Sequence, residues 1–298
     1  MKKISAIIIC MREEGNIQQC LKSINFVDEI IIIDSGATER TLEICKKFTD
    51  RIVRHPWPSY RQQMEYARDI AKNEWVLSLD VNEAVSEKLK ENIIFALEKD
   101  HGRYAGYRMK RQYFYSNQQV NHCWHPELQI RLYRKSKAQW VRRNQHYSVE
   151  LDGRCRDLKG DLKYSPYQDL SQYLHAVDSR SSMRAREEFE KGKPEYPSGL
   201  VFSPLFYFVK AYGLKRGFLD GMPGLVISVL ESYGRFLESA KLWEMRNAVS
   251  ADFLHSVPLN RFQYYLEKIK GIMFPEKRQR HESLWKTARL QSAQEDHT

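Results

Sequence analysis

Short apolar runs alternate with amphipathic segments over the first hundred residues, and this alternation restricts the fold more than any other feature. The apolar runs are residues 4–10, 29–34, 51–54 and 75–80. The segments with helical spacing are residues 14–24, 38–48, 60–72 and 86–99. Continuous apolar runs such as EIIIID are typical of strands that are buried on both faces. The pattern therefore predicts an α/β fold, with a parallel sheet and helices on both of its faces.

The remaining chain changes character twice. Residues 104–157 form short aromatic, alternating segments, which indicate antiparallel strands that complete the sheet as a mixed one. From about Gln168 onwards the spacing is helical, in segments 168–192, 200–217, 224–246 and 259–271. We therefore expect three parts, namely an α/β domain at 1–165, a helical region at 166–275 and a charged tail at 276–298. No low-complexity linker separates them, so the helical region is expected to pack on the α/β domain.

Two of the predicted strands end in aspartate. Asp34 closes EIIIID, and Asp80 closes WVLSLD. Right-handed crossovers bring the carboxyl ends of parallel strands to one edge of the sheet, where ligands bind. A carboxylate there can accept hydrogen bonds from a base or ribose, or help to hold a divalent cation against a diphosphate. The alternative is that each aspartate caps the next helix, but two such strand ends in one sheet favour a ligand site.

Charge and cysteine content limit the partners and the compartment. The formal charge of +10 favours polyanions such as lipid head groups, a phosphorylated glycolipid or a nucleotide diphosphate, although simple solubility explains it equally well. No nucleic-acid recognition motif accompanies the charge, so no nucleic acid is expected. The five cysteines show no CxxC spacing, which fits a reducing cytoplasm. No apolar run reaches the roughly eighteen residues of a transmembrane helix.

Ordered motifs along the chain carry a family resemblance, which extends from Ile4 to about Trp243. The motifs are Asn16-Ile17, Asp34-Ser35-Gly36, His55-Pro56-Trp57-Pro58, the run from Trp75 to Asp80, Gln129-Ile130-Arg131-Leu132-Tyr133, Asp152-Gly153, Leu158-Lys159-Gly160 and Arg216-Gly217-Phe218-Leu219-Asp220-Gly221. With these motifs the chain resembles family 2 glycosyltransferases of the GT-A fold, and in particular the lipopolysaccharide-core β-glucosyltransferase group. The resemblance implies a GT-A-type sheet at the N-terminus, followed by a helical extension.

The resemblance also implies an activity and a set of site residues. A hexose would pass, with inversion, from a nucleotide sugar, UDP-linked, to lipopolysaccharide core or another lipid-linked acceptor. A divalent Mg²⁺ or Mn²⁺ ion would help to stabilise the leaving diphosphate. The residues expected at the nucleotide sugar are Asp34 at the base, Asp80 at the ribose side, Glu13 and Arg131. The expected metal positions are Asn82 and Glu83, and the candidate base is Glu127. For Arg131 a phosphate contact competes with a solvated strand face.

Several of these positions depart from the family pattern. The usual Asp-Ala-Asp-Glu is Asp80-Val81-Asn82-Glu83 here, so a neutral carbonyl replaces a charged metal ligand, and Glu83 is left as a partial substitute. The usual Trp-Tyr-Pro-Asp ends in Glu127, whose extra methylene shifts the carboxylate by about 1 Å. The family histidine after Leu158-Lys159-Gly160 is Tyr164. The apolar core remains family-like, which predicts a retained fold with impaired chemistry.

Three hypotheses follow from this pattern. The first is a glycosyltransferase-fold protein whose catalysis is lost or strongly reduced. The second is an active transferase with an altered metal site, in which Arg12 and Arg61 act as cationic clamps on the diphosphate. The third is a non-catalytic binder of nucleotide sugar or anionic glycolipid. In all three the chain is expected in the cytoplasm, and the aromatic and basic residues of segment 205–218 suit either a peripheral position on the inner face of the inner membrane or packing on the α/β domain.

Overall fold

The computed structural model describes residues 2–11, 14–143, 146–192 and 197–254. The chain divides into two compact units, Met1–Lys241 and Leu242–Thr298. The predicted helical segment 259–271 and the charged tail 276–298 lie outside the described residues. Within the described ranges, no helix is long and apolar enough to cross a membrane.

The N-terminal elements follow the predicted order of strands and helices. They are β1 (Ile4–Cys10), α1 (Glu14–Ser23), β2 (Glu29–Asp34), α2 (Glu39–Lys46), β3 (Ile52–Arg54), α3 (Tyr60–Ile70), β4 (Trp75–Leu79), β5 (Glu83–Val85) and α4 (Glu87–Glu98). Every predicted element of this part is confirmed to within a few residues at its ends. Strand β5 was not predicted, because three residues that begin with a glutamate carry no readable alternation. It forms by antiparallel pairing with a strand about eighty residues further along.

The later elements comprise the antiparallel strands and the helical region. They are β6 (Gly106–Tyr115), β7 (Gln118–Val120), β8 (Glu127–Arg134), β9 (Ala138–Arg143), β10 (His146–Leu151), β11 (Cys155–Tyr164), α5 (Leu170–Glu190), α6 (Pro197–Phe208) and α7 (Gly221–Leu254). A π-helical turn (Val209–Leu214) and a 3₁₀ turn (Gly217–Asp220) connect α6 to α7. The helical character predicted from about Gln168 is therefore confirmed as far as the described residues extend.

One large mixed sheet forms the centre of the molecule. Its strand order is β3-β2-β1-β4-β8-β6-β11-β5, with β7 paired to β6, while β9 and β10 form a separate hairpin. Strands β3, β2, β1 and β4 are parallel to one another, whereas β8 runs antiparallel to β4. In this register Cys10 lies opposite Asp34, and Ile8 lies opposite Leu79. The carboxyl ends of β2, β1 and β4 are therefore level with the amino end of β8.

Both faces of the sheet are covered by helices, because β1 supplies apolar side chains to each side. Ile4, Ala6 and Ile8 pack with α1, α2 and α4, and Ile7 packs with α3 and the β9–β10 hairpin. Each fully buried aliphatic side chain of this kind contributes about 1.5–3 kcal/mol of transfer free energy. The two buried clusters fix β1 in the middle of the sheet and leave its carboxyl end open.

A third cluster joins the helical region to the sheet. Tyr115, Val120 and Cys123 pack against Tyr173 and Val177 of α5 and against Ile227 and Leu230 of α7. Helices α5 and α7 are therefore held against the β6–β7 end of the sheet, as the sequence predicted. The residues that follow β7 are fixed at the same time, and they lead directly to Glu127.

Gly160 allows α4 to approach β11 closely. The pairing of β11 with β6 is interrupted between Asp157 and Asp161, and Gly160 in this irregularity has φ +102°. An added Cβ atom there would lie 2.5 Å from the backbone nitrogen of Leu89. The hydroxyl of Ser86, which caps α4, accepts a hydrogen bond from the Asp161 amide at 3.1 Å. Only a glycine satisfies both the backbone angle and the contact.

We predict that Gly160→Ala lowers the free energy of unfolding by about 3 kcal/mol or more, because it combines left-handed strain with a clash against backbone. The matched control is Gly36→Ala, since Gly36 has the same φ of +102° but open space around its Cβ position. Strain alone costs about 1 kcal/mol there. Urea unfolding of the two variants tests which of them loses more free energy of unfolding. Equal losses would show that the contact between Gly160 and α4 is not tight.

Candidate active site

The two aspartates identified from sequence lie at one edge of the sheet, on either side of β1. Asp34 ends β2, and Asp80 directly follows β4. Because adjacent strands are about 4.8 Å apart, strands two positions apart place these residues roughly 10 Å from each other. Neither aspartate is a helix cap: the N-caps of α2 and α4 are Thr38 and Ser86. The helix-cap alternative is therefore wrong for both.

Asp34 organises the turn that follows β2. Its Oδ1 atom accepts hydrogen bonds from the amides of Gly36 at 3.0 Å and Ala37 at 2.8 Å. The side chain of Gln63 donates to the Ser35 hydroxyl at 2.5 Å and so ties this turn to α3. Within the described residues no donor is bonded to the other carboxylate oxygen of Asp34. That oxygen is left to accept a hydrogen bond from a ligand.

A cleft of about 130 Å³ opens at the carboxyl ends of β1 and β4, beside α3. Its lining residues are Ile9, Met11, Trp57, Tyr60, Met64, Leu79, Asp80 and Val81. Trp57 stands at the rim with 45% of its surface exposed. An apolar, aromatic wall with one carboxylate is typical of a small-molecule site. Since typical ligand pockets begin at about 300 Å³, this cleft encloses only part of a nucleotide sugar.

Asp80 and Glu83 form a tight acidic turn beyond β4. The Asp80 amide donates to Glu83 Oε2 at 3.0 Å, and Asp80 Oδ1 accepts from the Asn82 amide at 2.9 Å. Burial raises the pKa of Asp80, and the nearby charge of Glu83 raises it further. Ionisation of Asp80 therefore costs the folded state free energy.

Two arginines neutralise Glu83, which is 1% exposed. Arg131 donates to Glu83 Oε1 from Nε at 3.2 Å and from Nη2 at 2.7 Å, and Arg111 Nη1 lies 3.6 Å from the same oxygen. Burial by itself lowers the pKa of Arg131, but the charge of Glu83 outweighs it and the net pKa is raised. Arg131 is 7% exposed, so the alternative that it lies on a solvated strand face is wrong.

Arg111 also connects this cluster to Glu127, at the start of β8. Its Nη2 atom donates to Glu127 Oε2 at 2.8 Å, while the Tyr113 hydroxyl donates to Oε1 at 3.1 Å. Burial opposes ionisation of Glu127, but the charge of Arg111, together with hydrogen bonds from Gln129 and Tyr113, lowers its pKa overall. The guanidinium of Arg111 lies 4.5 Å from the ring centre of Tyr164, the position where the family pattern has histidine.

The residues at the expected metal positions are already occupied by other contacts. Asn82 Oδ1 accepts a hydrogen bond from Asn16 Nδ2 at 2.7 Å, and the same Nδ2 donates to the Ser165 carbonyl at 3.2 Å. Both oxygens of Glu83 are engaged, by Arg131 and by the Asp80 amide. A divalent cation requires several oxygen ligands with compensating negative charge. As they stand, these side chains fit such an ion poorly.

The structure adds residues that the sequence reasoning did not single out. Arg111 lies on β6, separated from β4 by β8, and no local pattern marks it as part of the site. The amide of Asn16 and the ring of Tyr60 reach the site from α1 and α3, respectively. Glu13 lies outside the described residues. Arg61, a proposed cationic clamp, pairs with Glu65 at 3.7 Å on the exposed side of α3.

Comparisons with known proteins found a matching family model, relatives and similar structures. A family model described as Glycosyl transferase family 2 matches residues 5–150. An uncharacterized glycosyltransferase of Rickettsia typhi is 30% identical, over 94% of this chain and 99% of its own length. The lipopolysaccharide core biosynthesis glycosyltransferase LpsC of Rhizobium meliloti is 26% identical, over 83% of this chain and 94% of its own. Among solved structures, TarS 1–349 of S. aureus is similar with a TM-score of 0.41 and 14% identity, over 83% of this chain and 92% of that one.

The chain belongs to glycosyl transferase family 2. The expected fold class is confirmed, since a mixed sheet with helices on both faces is followed by a helical C-terminal extension. Asp34, Asp80 and the cleft lie together at the carboxyl edge of this sheet.

We predict that Asp80→Asn raises the melting temperature near neutral pH by a few degrees, roughly what 1 kcal/mol gives in a domain of this size. Asp80 has a raised pKa in the folded state, so its ionised form costs stability above that pKa and the cost vanishes as the pH falls through it. The gain should therefore shrink in acid. Asn retains the acceptor for the Asn82 amide.

Asp152→Asn is the matched control, because the Asp152 side chain is 86% exposed and pairs only with Lys137 among the described residues. Thermal unfolding across pH tests the pair of variants. If Asp80→Asn instead lowered the melting temperature at neutral pH, the claim that ionised Asp80 costs the folded state free energy would be wrong.

Proposed function

We propose that this chain binds a nucleotide sugar, UDP-linked, at the carboxyl edge of β1 and β4, and that its metal-dependent transfer of a hexose is lost or strongly reduced. Its acceptor class is lipopolysaccharide core or another lipid-linked glycan. The observation that supports this most is the acidic turn, in which Glu83 is neutralised by Arg131 and Arg111 while Asn82 is bound by Asn16. The similarity to LpsC supports the acceptor class.

Donor binding is supported by the shape and polarity of the cleft. Asp80 lines the cleft and is suited to the ribose hydroxyls, and Asp34, two strands away, has an oxygen that accepts no hydrogen bond from the described residues and is suited to a donor on a base. Trp57 offers an exposed aromatic ring at the rim, against which a planar base can stack, and the Tyr60 ring packs edge-on against it. These features do not depend on a metal ion. Binding is therefore expected even where transfer is weak.

Reduced transfer is supported by both catalytic positions. Asn82 supplies a neutral oxygen where the family has a charged ligand, so the leaving diphosphate receives less stabilisation. Glu127 has a lowered pKa and accepts hydrogen bonds from Arg111, Tyr113 and Gln129, which makes it a weak proton acceptor. Both effects act in the same direction, towards slower transfer.

An active transferase with an altered site is the second candidate. Arg131 and Arg111 bring positive charge next to Asp80 and Glu83, at the place where the family pattern expects a cation. Guanidinium groups bind phosphate oxygens well. In this alternative the arginines, with Arg61 and Arg12, stabilise the diphosphate with less metal. A non-catalytic binder of nucleotide sugar or anionic glycolipid is the third.

The proposal includes an arrangement of the chain around these ligands. Residues 1–165 bind the nucleotide sugar, and residues 166–275 face the acceptor. A lipid-linked acceptor is held at a membrane, so the chain would work in the cytoplasm at the inner face of the inner membrane. This position requires a surface that adheres to a bilayer without spanning it.

Titration calorimetry with UDP-glucose, with and without Mn²⁺, tests the proposal. We expect binding that changes little with the metal, and no measurable hydrolysis or transfer of the sugar. Asp34→Asn should weaken binding about tenfold or more, because a charge-assisted hydrogen bond contributes roughly 1.5–3 kcal/mol. Asp152→Asn removes the same charge far from the cleft and should leave binding unchanged.

The other outcomes separate the alternatives. Tight binding that requires metal, accompanied by turnover, would show that the second candidate is right and the proposal of lost catalysis wrong. Binding of neither UDP-glucose nor UDP would contradict the donor site itself.

We predict that Asn82→Asp raises the affinity for Mn²⁺ by at least about tenfold, because it restores a charged oxygen ligand beside Asp80. One oxygen of the new carboxylate can keep the hydrogen bond from Asn16, and the other is free for the cation. Asn117→Asp, on the exposed β6–β7 turn, adds the same charge elsewhere and serves as the control. An unchanged Mn²⁺ affinity in Asn82→Asp would show that this position is not a metal position.

A further inference from the structure

Helix α6 presents an apolar face that the rest of the described structure leaves uncovered. Its inner side packs on α7, where the Ser232 hydroxyl donates to the Pro204 carbonyl at 2.7 Å and Arg235 lies 4.1 Å from the Tyr207 ring centre. Its outer side, continued by the first residue of the π-helical turn, consists of exposed apolar residues at i, i+1, i+4, i+5 and i+8, namely Val201, Phe202, Leu205, Phe206 and Val209. A helix with this spacing shows one continuous apolar stripe.

The connection to α7 continues this surface. Leu214 is 75% exposed, and Phe218, Leu219 and Met222 are also exposed. We call the outer side of α6 together with these four residues the α6 surface. Scattered exposed apolar residues are ordinary, but nine large ones between positions 201 and 222 indicate an interaction site.

The charges within the α6 surface have one sign. Between residues 197 and 230 the charged residues are Lys210, Lys215, Arg216 and Asp220. The three basic residues are exposed, whereas Asp220 is buried. Among residues 197–230 a ligand of the α6 surface therefore meets apolar side chains and positive charge, with no exposed acid. This chemistry is complementary to an apolar layer that carries anionic head groups.

Asp220 anchors the α6 surface to the site-bearing part of the molecule. Its carboxylate accepts hydrogen bonds from the amides of Asn121 at 3.0 Å and of His122 and Cys123 at 2.9 Å. These residues directly precede the segment 124–127, which ends in the candidate base. Gly217 packs so closely on Cys123 that a Cβ atom would lie 2.5 Å from its Sγ. The α6 surface is thus fixed relative to the edge where the acceptor would enter.

The length of α6 determines how it can meet a bilayer. Its twelve residues extend about 18 Å, which is short of the roughly 30 Å hydrocarbon core. A helix of this length, which is apolar over most of its surface and is followed by Lys210, Lys215 and Arg216, can enter a bilayer only at the level of the head groups and the adjoining acyl chains.

We infer that the α6 surface binds the anionic face of a lipid bilayer, with the apolar side chains inserted among the acyl chains and Lys210, Lys215 and Arg216 at the phosphates. The inference rests on the proposed function in one respect only, namely which acceptor the chain reaches at the bilayer. Adhesion itself needs neither nucleotide sugar nor metal.

Flotation of the full chain with vesicles of phosphatidylcholine, with and without phosphatidylglycerol, tests the inference in the absence of any sugar donor. Binding should require phosphatidylglycerol and weaken with salt. Lys210→Glu with Lys215→Glu should lower binding at least about tenfold, since each basic residue near such a surface contributes about 1 kcal/mol. Phe202→Glu with Phe206→Glu should abolish binding, because it places charge in the apolar stripe.

Matched controls come from α4, which lies outside the α6 surface. Phe95, at 60% exposure, supplies Phe95→Glu, and the exposed Lys88 and Lys99 supply Lys88→Glu with Lys99→Glu. Equal losses in the α4 variants would contradict the inference. The inference would also be contradicted if the unaltered chain did not bind the vesicles. A dimer in light scattering that only Phe202→Glu with Phe206→Glu dissociates would contradict it as well. UDP-glucose calorimetry on the same variants distinguishes loss of adhesion from loss of the donor site.

Discussion

The buried carboxylate of Glu83 is the group on which the acidic edge depends. It belongs to a strand of three residues, and it bonds to Arg131 of β8, to Arg111 of β6 and to the amide of Asp80. A buried charge without partners costs several kcal/mol, so these contacts are required for the turn to fold as it does. The same contacts remove Glu83 from the set of oxygens that a cation could use. Structural and catalytic demands thus compete for one side chain.

Asp80 shows the other side of this competition. It has no buried cation of its own among the described residues, and burial together with Glu83 raises its pKa. An ionised carboxylate with a raised pKa lowers the stability of the fold. Proteins retain residues with such a stability cost mainly at ligand sites. The edge therefore keeps a residue suited to a ligand, even though its neighbours at positions 82 and 83 are engaged within the protein. In the proposed function, donor binding and metal-assisted transfer are therefore separable.

The sequence was sufficient to predict the central strands and the two aspartates, because both depend on local patterns. Runs such as EIIIID and WVLSLD are buried on both faces, and a residue at the end of such a strand reaches the ligand edge whatever its neighbours are. Arg111, Asn16 and strand β5 depend instead on pairings across many residues, and no periodicity records those pairings. The departure at Asn82 was visible from sequence, whereas the hydrogen bond that occupies its oxygen was not.

The helical region bears on the place in the cell where the molecule works. Asp220 and Gly217 fix the start of α7 to the loop before Glu127, so a surface carried by α6 and this connection has a defined orientation towards the acceptor side. Three of the basic residues behind the net charge of +10, namely Lys210, Lys215 and Arg216, are exposed on the same stretch of chain as the exposed Phe206 and Phe218. Under the proposed function and the inferred adhesion to a bilayer, this rigid link restricts the approach of a lipid-linked glycan to one direction. Since orientation supplies a large part of the benefit of an enclosed site, this restriction favours a protein that meets its acceptor at the membrane rather than in solution.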